Sequence, residues 1–264
     1  MPSEADSTAR PRPTRSIRTT RDRRMRDASQ REARYHQGGA APRETAVRVG
    51  ESPPDSTSVA ALNVTVAIVL LILAAPLMIL VAILVRSTSR GPALFAQERV
   101  GLDRRAGSRS AGARRRVDLG GQPVRIYKFR TMYFDREWAD QVWTRPGDVR
   151  ITRLGRVLRA YRIDELPQLF NVLKREMNVV GPRPEQVEIF GRLREKHERF
   201  PDRQRVLPGI TGLSQVKCGY GGDDFKIRRK LAFDREYVAR RSIWMDLRIL
   251  LLTIPVVLLK KGAR

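Results

Sequence analysis

The chain has 264 residues, enough for one or two domains, and carries a formal net charge of +24 from 52 basic and 28 acidic side chains. One cysteine, Cys218, excludes an internal disulfide framework, and an excess of cations this large calls for an anionic partner: acidic lipid, a phosphorylated substrate or nucleic acid. His36 and His197 stand in no metal-binding or Ser/His spacing, and the absence of a G-x-x-x-x-G-K-S/T loop, a G-x-G-x-x-G fingerprint and a C-x-x-C pair counts against P-loop ATPase, nucleotide-redox and zinc-finger readings.

Residues 1–57 read as a disordered tail, rich in arginine and almost without aliphatic or aromatic clusters. Twelve arginines against eight acidic residues leave it basic, and its composition fits a solvated tail better than a lipid-binding one. Val59 to Val85 is an apolar run without formal charge, long enough to cross a bilayer as a helix. Pro76 lies in its middle and would kink it, and both flanks are basic. The positive-inside rule would keep both flanks on the cytoplasmic side. A re-entrant helix over 58–86, entering and leaving on one face, satisfies both facts; a bitopic span is the rival. Asn63-Val-Thr65 matches a glycosylation sequon by chance.

After a Gly91-Pro92 turn, a strand-like run reaches Val100, and Pro123 to Phe129 is a second; the two would pair as a hairpin. Residues 103–122 between them form a basic insertion that reads as a flexible loop resting on lipid headgroups, with no aromatic residue to stack on bases and hence no specific nucleic-acid partner. Lys128 and Arg130 stand at alternate positions, so one strand face would carry both, either as an exposed basic end or as phosphate ligands. Trp138 and Trp143 read as packing residues. Asp148 to Leu158 has helical character.

Leu166, Leu169, Phe170 and Leu173 recur at helical spacing and predict an apolar helix face that begins near Asp164 and Pro167. Arg156, Arg159 and Arg162 recur three apart and bring guanidinium groups close to the adjacent Asp164 and Glu165; Gly181-Pro-Arg183-Pro184 adds another on a stiff loop. Carboxylates among arginines are expected to stay ionised. The arrangement suits an ionised nucleophile, a divalent metal and a diphosphate. A capped amphipathic helix with surface ion pairs explains the same pattern equally well. Pro184 to Phe200 and Lys226 to Val238 read as helices, Leu207 to Gln215 and Gly219 to Gly222 as loops. Ile249 to Leu259, broken by Pro255 and flanked by Arg248, Lys260 and Lys261, reads as an interfacial helix, with packing onto the domain core as the alternative.

Seven blocks in order resemble the bacterial sugar transferases, the monotopic phosphoglycosyl transferases that act on polyprenol phosphate. They are Gly91–Gln97, Lys128–Met132, Asp148–Gly155, Asp164–Gln168, Gly181–Pro184, Pro208–Gly212 and Asp246–Thr253. The similarity runs from about Pro76 to the C-terminus and fits the short form, without a multi-span membrane domain. It implies an α+β, mainly helical fold: a re-entrant membrane helix hairpin, a small antiparallel β-hairpin and amphipathic interfacial helices around a cytoplasmic phosphoglycosyl transferase domain, 87–264. It also implies transfer of a sugar-1-phosphate from a nucleoside-diphosphate sugar to polyprenyl phosphate at the cytoplasmic face of the inner membrane, through an aspartyl-phosphosugar. By position, Asp164 would be the nucleophile and Glu165, with Asp164, the holder of magnesium. Arg159 and Arg183, with Lys128 and Arg130 as further contacts, would bind the substrate. A homo-oligomer is left open.

The chain departs from the family pattern in four places. Ala75 precedes Pro76 where the family usually has serine, and Arg175-Glu-Met-Asn178 replaces Gly-Asp-Met-Ser. Ser214 stands where Trp is frequent, and the basic insertion is longer. The alternative is a non-catalytic basic membrane adaptor, which needs the charge but not the adjacent Asp164 and Glu165.

Overall fold

The computed structural model describes residues 57–103, 121–133, 147–218 and 224–259. The tail before Thr57, most of the basic insertion, Trp138, Trp143, the Gly219–Gly222 loop, Lys260 and Lys261 lie outside the described residues.

Helix α1, Thr57–Thr88, takes in the whole apolar run and continues through Pro76. Its buried residues include Ala60, Asn63, Ala67, Met78, Val81 and Val85, with Leu71 and Ala74 partly covered between them. That three-and-four spacing is one helical stripe. Ala67 packs with Ile126, Leu169, Val172 and Met177, whereas Met78, Val81 and Val85 pack with Phe129 and Leu158. Both ends of the helix therefore rest on the same body of the protein. The opposite face is left bare, with Ile72 68% and Leu73 72% exposed, far more contiguous apolar surface than a water-facing helix carries.

The expected hairpin forms. Strands β1 (Leu94–Val100) and β2 (Pro123–Phe129) pair antiparallel, Leu94 opposite Phe129 and Val100 opposite Pro123. Pro123 is tolerated because it opens its strand. Helix α2, Arg153–Ala160, starts later than the sequence suggests: the Thr152 side chain accepts a bond from Gly155 N and caps it, while Asp148 lies in the preceding turn, paired with Arg150 at 2.7 Å.

Helix α3 is short, Gln168–Leu173, and its apolar face is not the expected one. Leu169 and Val172 are buried, but Phe170 and Leu173 are exposed. A six-residue helix can turn only about one face inward, and Asn171 occupies part of it. Asn171 is fully buried: its Nδ2 donates to Arg125 O and Glu176 Oε2, and its Oδ1 accepts from Tyr127 N. It thereby ties α3 to β2. The chain leaves α3 through Arg175 at φ 57°. This is the left-handed position that closes many helices and favours glycine, and it falls where the resemblance implies a glycine.

The stretch Leu207–Gln215, expected as a loop, contains strand β4 (Gly209–Thr211), which runs parallel to β3 (Asn178–Val180). It is so short that only tertiary contact defines it. A Cβ on Gly181 would lie 2.6 Å from Leu207 O and 2.8 Å from Gly209 N, so two of the glycine-bearing blocks exist to let these backbones touch.

Helices α4 (Val187–Lys196), α5 (Leu213–Cys218), α6 (Asp224–Arg240) and α7 (Ile243–Leu258) complete the described elements. Ile189, Phe190 and Leu193 bury α4 against Phe200 and Leu231. Pro255 does not break α7 as expected; it lies in the last turn, where one lost backbone bond is tolerated, and Leu259 N still reaches Pro255 O. Ile249 is fully buried, while Leu251, Ile254 and Leu258 are exposed. The Tyr237 hydroxyl meets Asp246 Oδ1 at 2.8 Å and Val180 O at 3.1 Å, joining α6, α7 and β3 in the interior.

Candidate active site

Asp164 and Glu165 do not begin an α-helix. They occupy a 3-10 turn, Ile163–Glu165, and Pro167 stands at the N-cap of α3 without a side-chain cap bond. The capping explanation for Asp164 therefore fails, and so does the expected help from a helix dipole, since α3 is only six residues long. The turn is entered through Arg162 at φ 57°, a strained backbone for a residue with a Cβ. That reversal sets both carboxylates against the end of β2 and the Gly181–Pro184 loop.

Glu165 is ringed by cations. Its Oε1 takes Lys128 Nζ at 3.1 Å and an Arg183 nitrogen at 2.7 Å; its Oε2 faces Arg162 at 3.7 Å and Arg183 at 3.5 Å. Burial pushes its carboxyl up, but Arg183 and Lys128 outweigh burial and hold it well below the usual carboxylate range. Asp164 goes the other way. It makes no hydrogen bond or ion pair among the described residues. Burial, and then the charge of Glu165, push it up to about 6 against the pull of Lys128, Arg159 and Arg183. The two adjacent carboxylates thus differ in kind: one is an ionised anchor and the other a poised group with unused oxygens. Neighbouring titratable groups driven apart in this way are characteristic of catalytic pairs. The Lys128 ammonium is lowered by burial, with Glu165 opposing the shift.

Five of the six candidate residues fall together: Asp164, Glu165, Lys128, Arg159 and Arg183. Arg159 is oriented by its Nε bond to Thr131 Oγ1 at 2.8 Å. Arg130 is not part of the cluster. Its guanidinium reaches Arg90 O and Ser89 O at 2.7 Å each, and Val85 O at 3.2 Å. It does not follow Lys128 into the cluster because the strand ends at Phe129. Arg156 is exposed and pairs with neither carboxylate.

Arg203, only 4% exposed, had no signal in the sequence. It donates to Arg183 O at 2.8 Å and pairs with Asp234 at 2.7 Å, so it fixes the backbone from which Arg183 reaches Glu165. Asn171, a polar residue inside an apolar helical run, belongs to a separate buried network with Arg125, Tyr127 and Glu176.

Among the described residues no three His, Cys, Asp or Glu side chains gather into a metal cage. The donor set still fits magnesium as a partial shell. Asp164 has unused oxygens, and the Oε2 of Glu165 is held only by its two longer contacts. Magnesium is commonly bound by one or two carboxylates and completed by water and substrate phosphate.

Residues 55–260 match the family model described as bacterial sugar transferase. The match takes in the whole apolar run and starts ahead of it, not at Pro76 as the motifs alone suggested. The chain is 37% identical over 203 residues to the UDP-N-acetylgalactosamine-undecaprenyl-phosphate N-acetylgalactosaminephosphotransferase of Aeromonas hydrophila, covering 77% of this chain and 44% of that protein. It is 39% identical over 204 residues to the UDP-glucose:undecaprenyl-phosphate glucose-1-phosphate transferase of Caulobacter vibrioides, covering 76% and 70%. It is 39% identical over 211 residues to the undecaprenyl-phosphate glucose phosphotransferase of Komagataeibacter xylinus, covering 77% and 36%. The chain therefore spans under half the length of the first and third relatives and about two thirds of the second.

Proposed function

Because the chain belongs to the bacterial sugar transferase family, we propose that it transfers a sugar-1-phosphate from a UDP-sugar to undecaprenyl-type phosphate, an opening membrane step of polysaccharide or glycoconjugate synthesis. The observation that carries the reading is the division of labour between Asp164 and Glu165. An Asp164 oxygen attacks the phosphorus that bears the sugar, the P–O bond of the diphosphate breaks, and the nucleoside monophosphate leaves. An oxygen of the lipid phosphate then attacks the same phosphorus and releases the Asp164 carboxylate. Neither step needs a proton from the protein. Glu165 holds Lys128 and Arg183 at the site, and with Arg159 these cations are placed to meet charge growing on the diphosphate. Magnesium, held by Asp164 and Glu165, would supply further charge neutralisation on the diphosphate.

The bilayer enters the same reading. Asn63 and Val85 lie on opposite halves of α1 and both contact the same body, which argues against a helix whose ends sit on opposite membrane faces. The re-entrant arrangement, with the basic flanks and the catalytic residues on the cytoplasmic side of the inner membrane, fits these contacts and the bare face of α1. The exposed apolar faces of α3 and α7 would lie along the lipid surface. An adaptor that merely gathers anions would have no use for one pinned and one poised carboxylate.

The test is to incubate the full chain in membranes with a panel of UDP-sugars. Without lipid acceptor, intact mass should show one phosphosugar adduct, absent in Asp164→Asn; with undecaprenyl phosphate, nucleoside monophosphate should be released continuously. Turnover by Asp164→Asn at the wild-type rate would overturn the assignment.

A further inference from the structure

Two buried polar side chains outside the carboxylate turn are committed to α1, one at each end. Asn63, 3% exposed, accepts Val179 N at 2.7 Å through Oδ1 and donates to Val59 O at 2.8 Å. Strand β3 pairs with β4 through Asn178 and Val180, so Val179 presents its N–H on the other edge, towards α1. Without Asn63 that donor would be buried unpaired, which is costly.

At the other end Arg130, 6% exposed, spreads over Val85 O, Ser89 O, Ser89 Oγ and Arg90 O. These carbonyls lie in and just beyond the last turn of α1, where the helix dipole is negative and backbone acceptors lack partners. The charge that acts most on Arg130 is Arg86, which repels it, so helix carbonyls rather than a carboxylate hold this desolvated guanidinium.

The apolar seam of α1 cannot do this work in a membrane. Lipid tails are as apolar as the Ile126 and Phe129 side chains, so leaving the seam for lipid costs little, whereas leaving a hydrogen bond for lipid costs a great deal. The geometry points to Asn63 and Arg130 as the positioning residues that pin both ends of α1 to one face of the domain, so that both flanks of the helix stay on one side of the bilayer. This rests on the transferase reading for its consequence: the pins set where the lipid phosphate meets Asp164, and the soluble donor does not depend on them.

The experiment uses full-length protein in membranes, with Cys218→Ser and a reporter cysteine introduced at Ser52. Unaltered pins should give impermeant-thiol labelling only in inside-out vesicles. Asn63→Leu combined with Arg130→Met should shift part of the labelling to intact cells. It should lower transfer to undecaprenyl phosphate by about tenfold or more, while adduct formation from UDP-sugar stays within about threefold, as expected for the loss of positioning bonds. Asn63→Asp and Arg130→Lys keep one acceptor and one donor respectively and should recover part of the transfer. Unchanged labelling and transfer in the double variant would overturn the proposal. So would loss of adduct formation in Arg130→Met at unchanged topology, which would return Arg130 to phosphate binding. If the protein with its pins intact forms no adduct with any UDP-sugar, the transferase reading falls, while the labelling still decides the pins.

Discussion

The ends of α1 and the carboxylate turn both bury polar side chains, and they treat them in opposite ways. Asn63 and the two terminal nitrogens of Arg130 are matched to partners at the ends of α1, while Arg130 Nε has none among the described residues. In the turn Glu165 is held by Lys128 and Arg183, but its neighbour Asp164 is buried without a hydrogen bond among the described residues. A carboxylate gripped by direct ion pairs is fixed in place; one without them keeps its oxygens available to a ligand. Cations surround both carboxylates, so charge alone does not separate the two, whereas the direct contacts each one makes do.

Removing the Asp164 charge is the strongest way to break this contrast. Asp164→Asn should lower adduct formation by about a thousandfold or more, since the proposed nucleophile is lost. It should at the same time raise stability. A carboxyl lifted from 3.8 to about 6 favours folding fully below its ordinary value, and that contribution is lost as pH rises through about 6. An uncharged isostere restores it at pH 7, by at most about 3 kcal/mol, read as a higher melting temperature.

Glu165→Gln should do the reverse. It leaves Lys128 and Arg183 without their buried partner, so activity should fall about a hundredfold and stability by about 3 kcal/mol. If the two variants shift the melting temperature in the same direction, the comparison is wrong.

A pH profile sharpens it further. Adduct formation should fall about tenfold per unit below pH 6 as Asp164 takes up a proton. Glu165, held well below its ordinary range, should add no second step there. The smallest effect belongs to Arg175→Gly, which relieves the left-handed backbone after α3 and should stabilise by about 0.5–1 kcal/mol with unchanged turnover.

Local pattern along the chain encodes several of the elements. The apolar run became α1, the alternating segments around the basic insertion became β1 and β2, and the charged amphipathic stretch became α4. The sequence also singled out Asp164 and Glu165 beside the regularly spaced Arg159, Arg183 on a stiff loop, and Lys128 with Arg130 as alternate residues of one strand face. It could not say which carboxylate is pinned and which is free, since that depends on a left-handed turn at Arg162 and on Arg183 arriving from a separate loop. Nor could it place Arg130, which the end of β2 directs to the end of α1, or reveal Asn63 and Arg203, whose partners are backbone groups 116 and 20 residues away. Spacing along a chain fixes which residues share a helix or strand face. Only the packed fold decides which polar groups meet, and here it pins Glu165 with direct ion pairs and leaves Asp164 without one among the described residues.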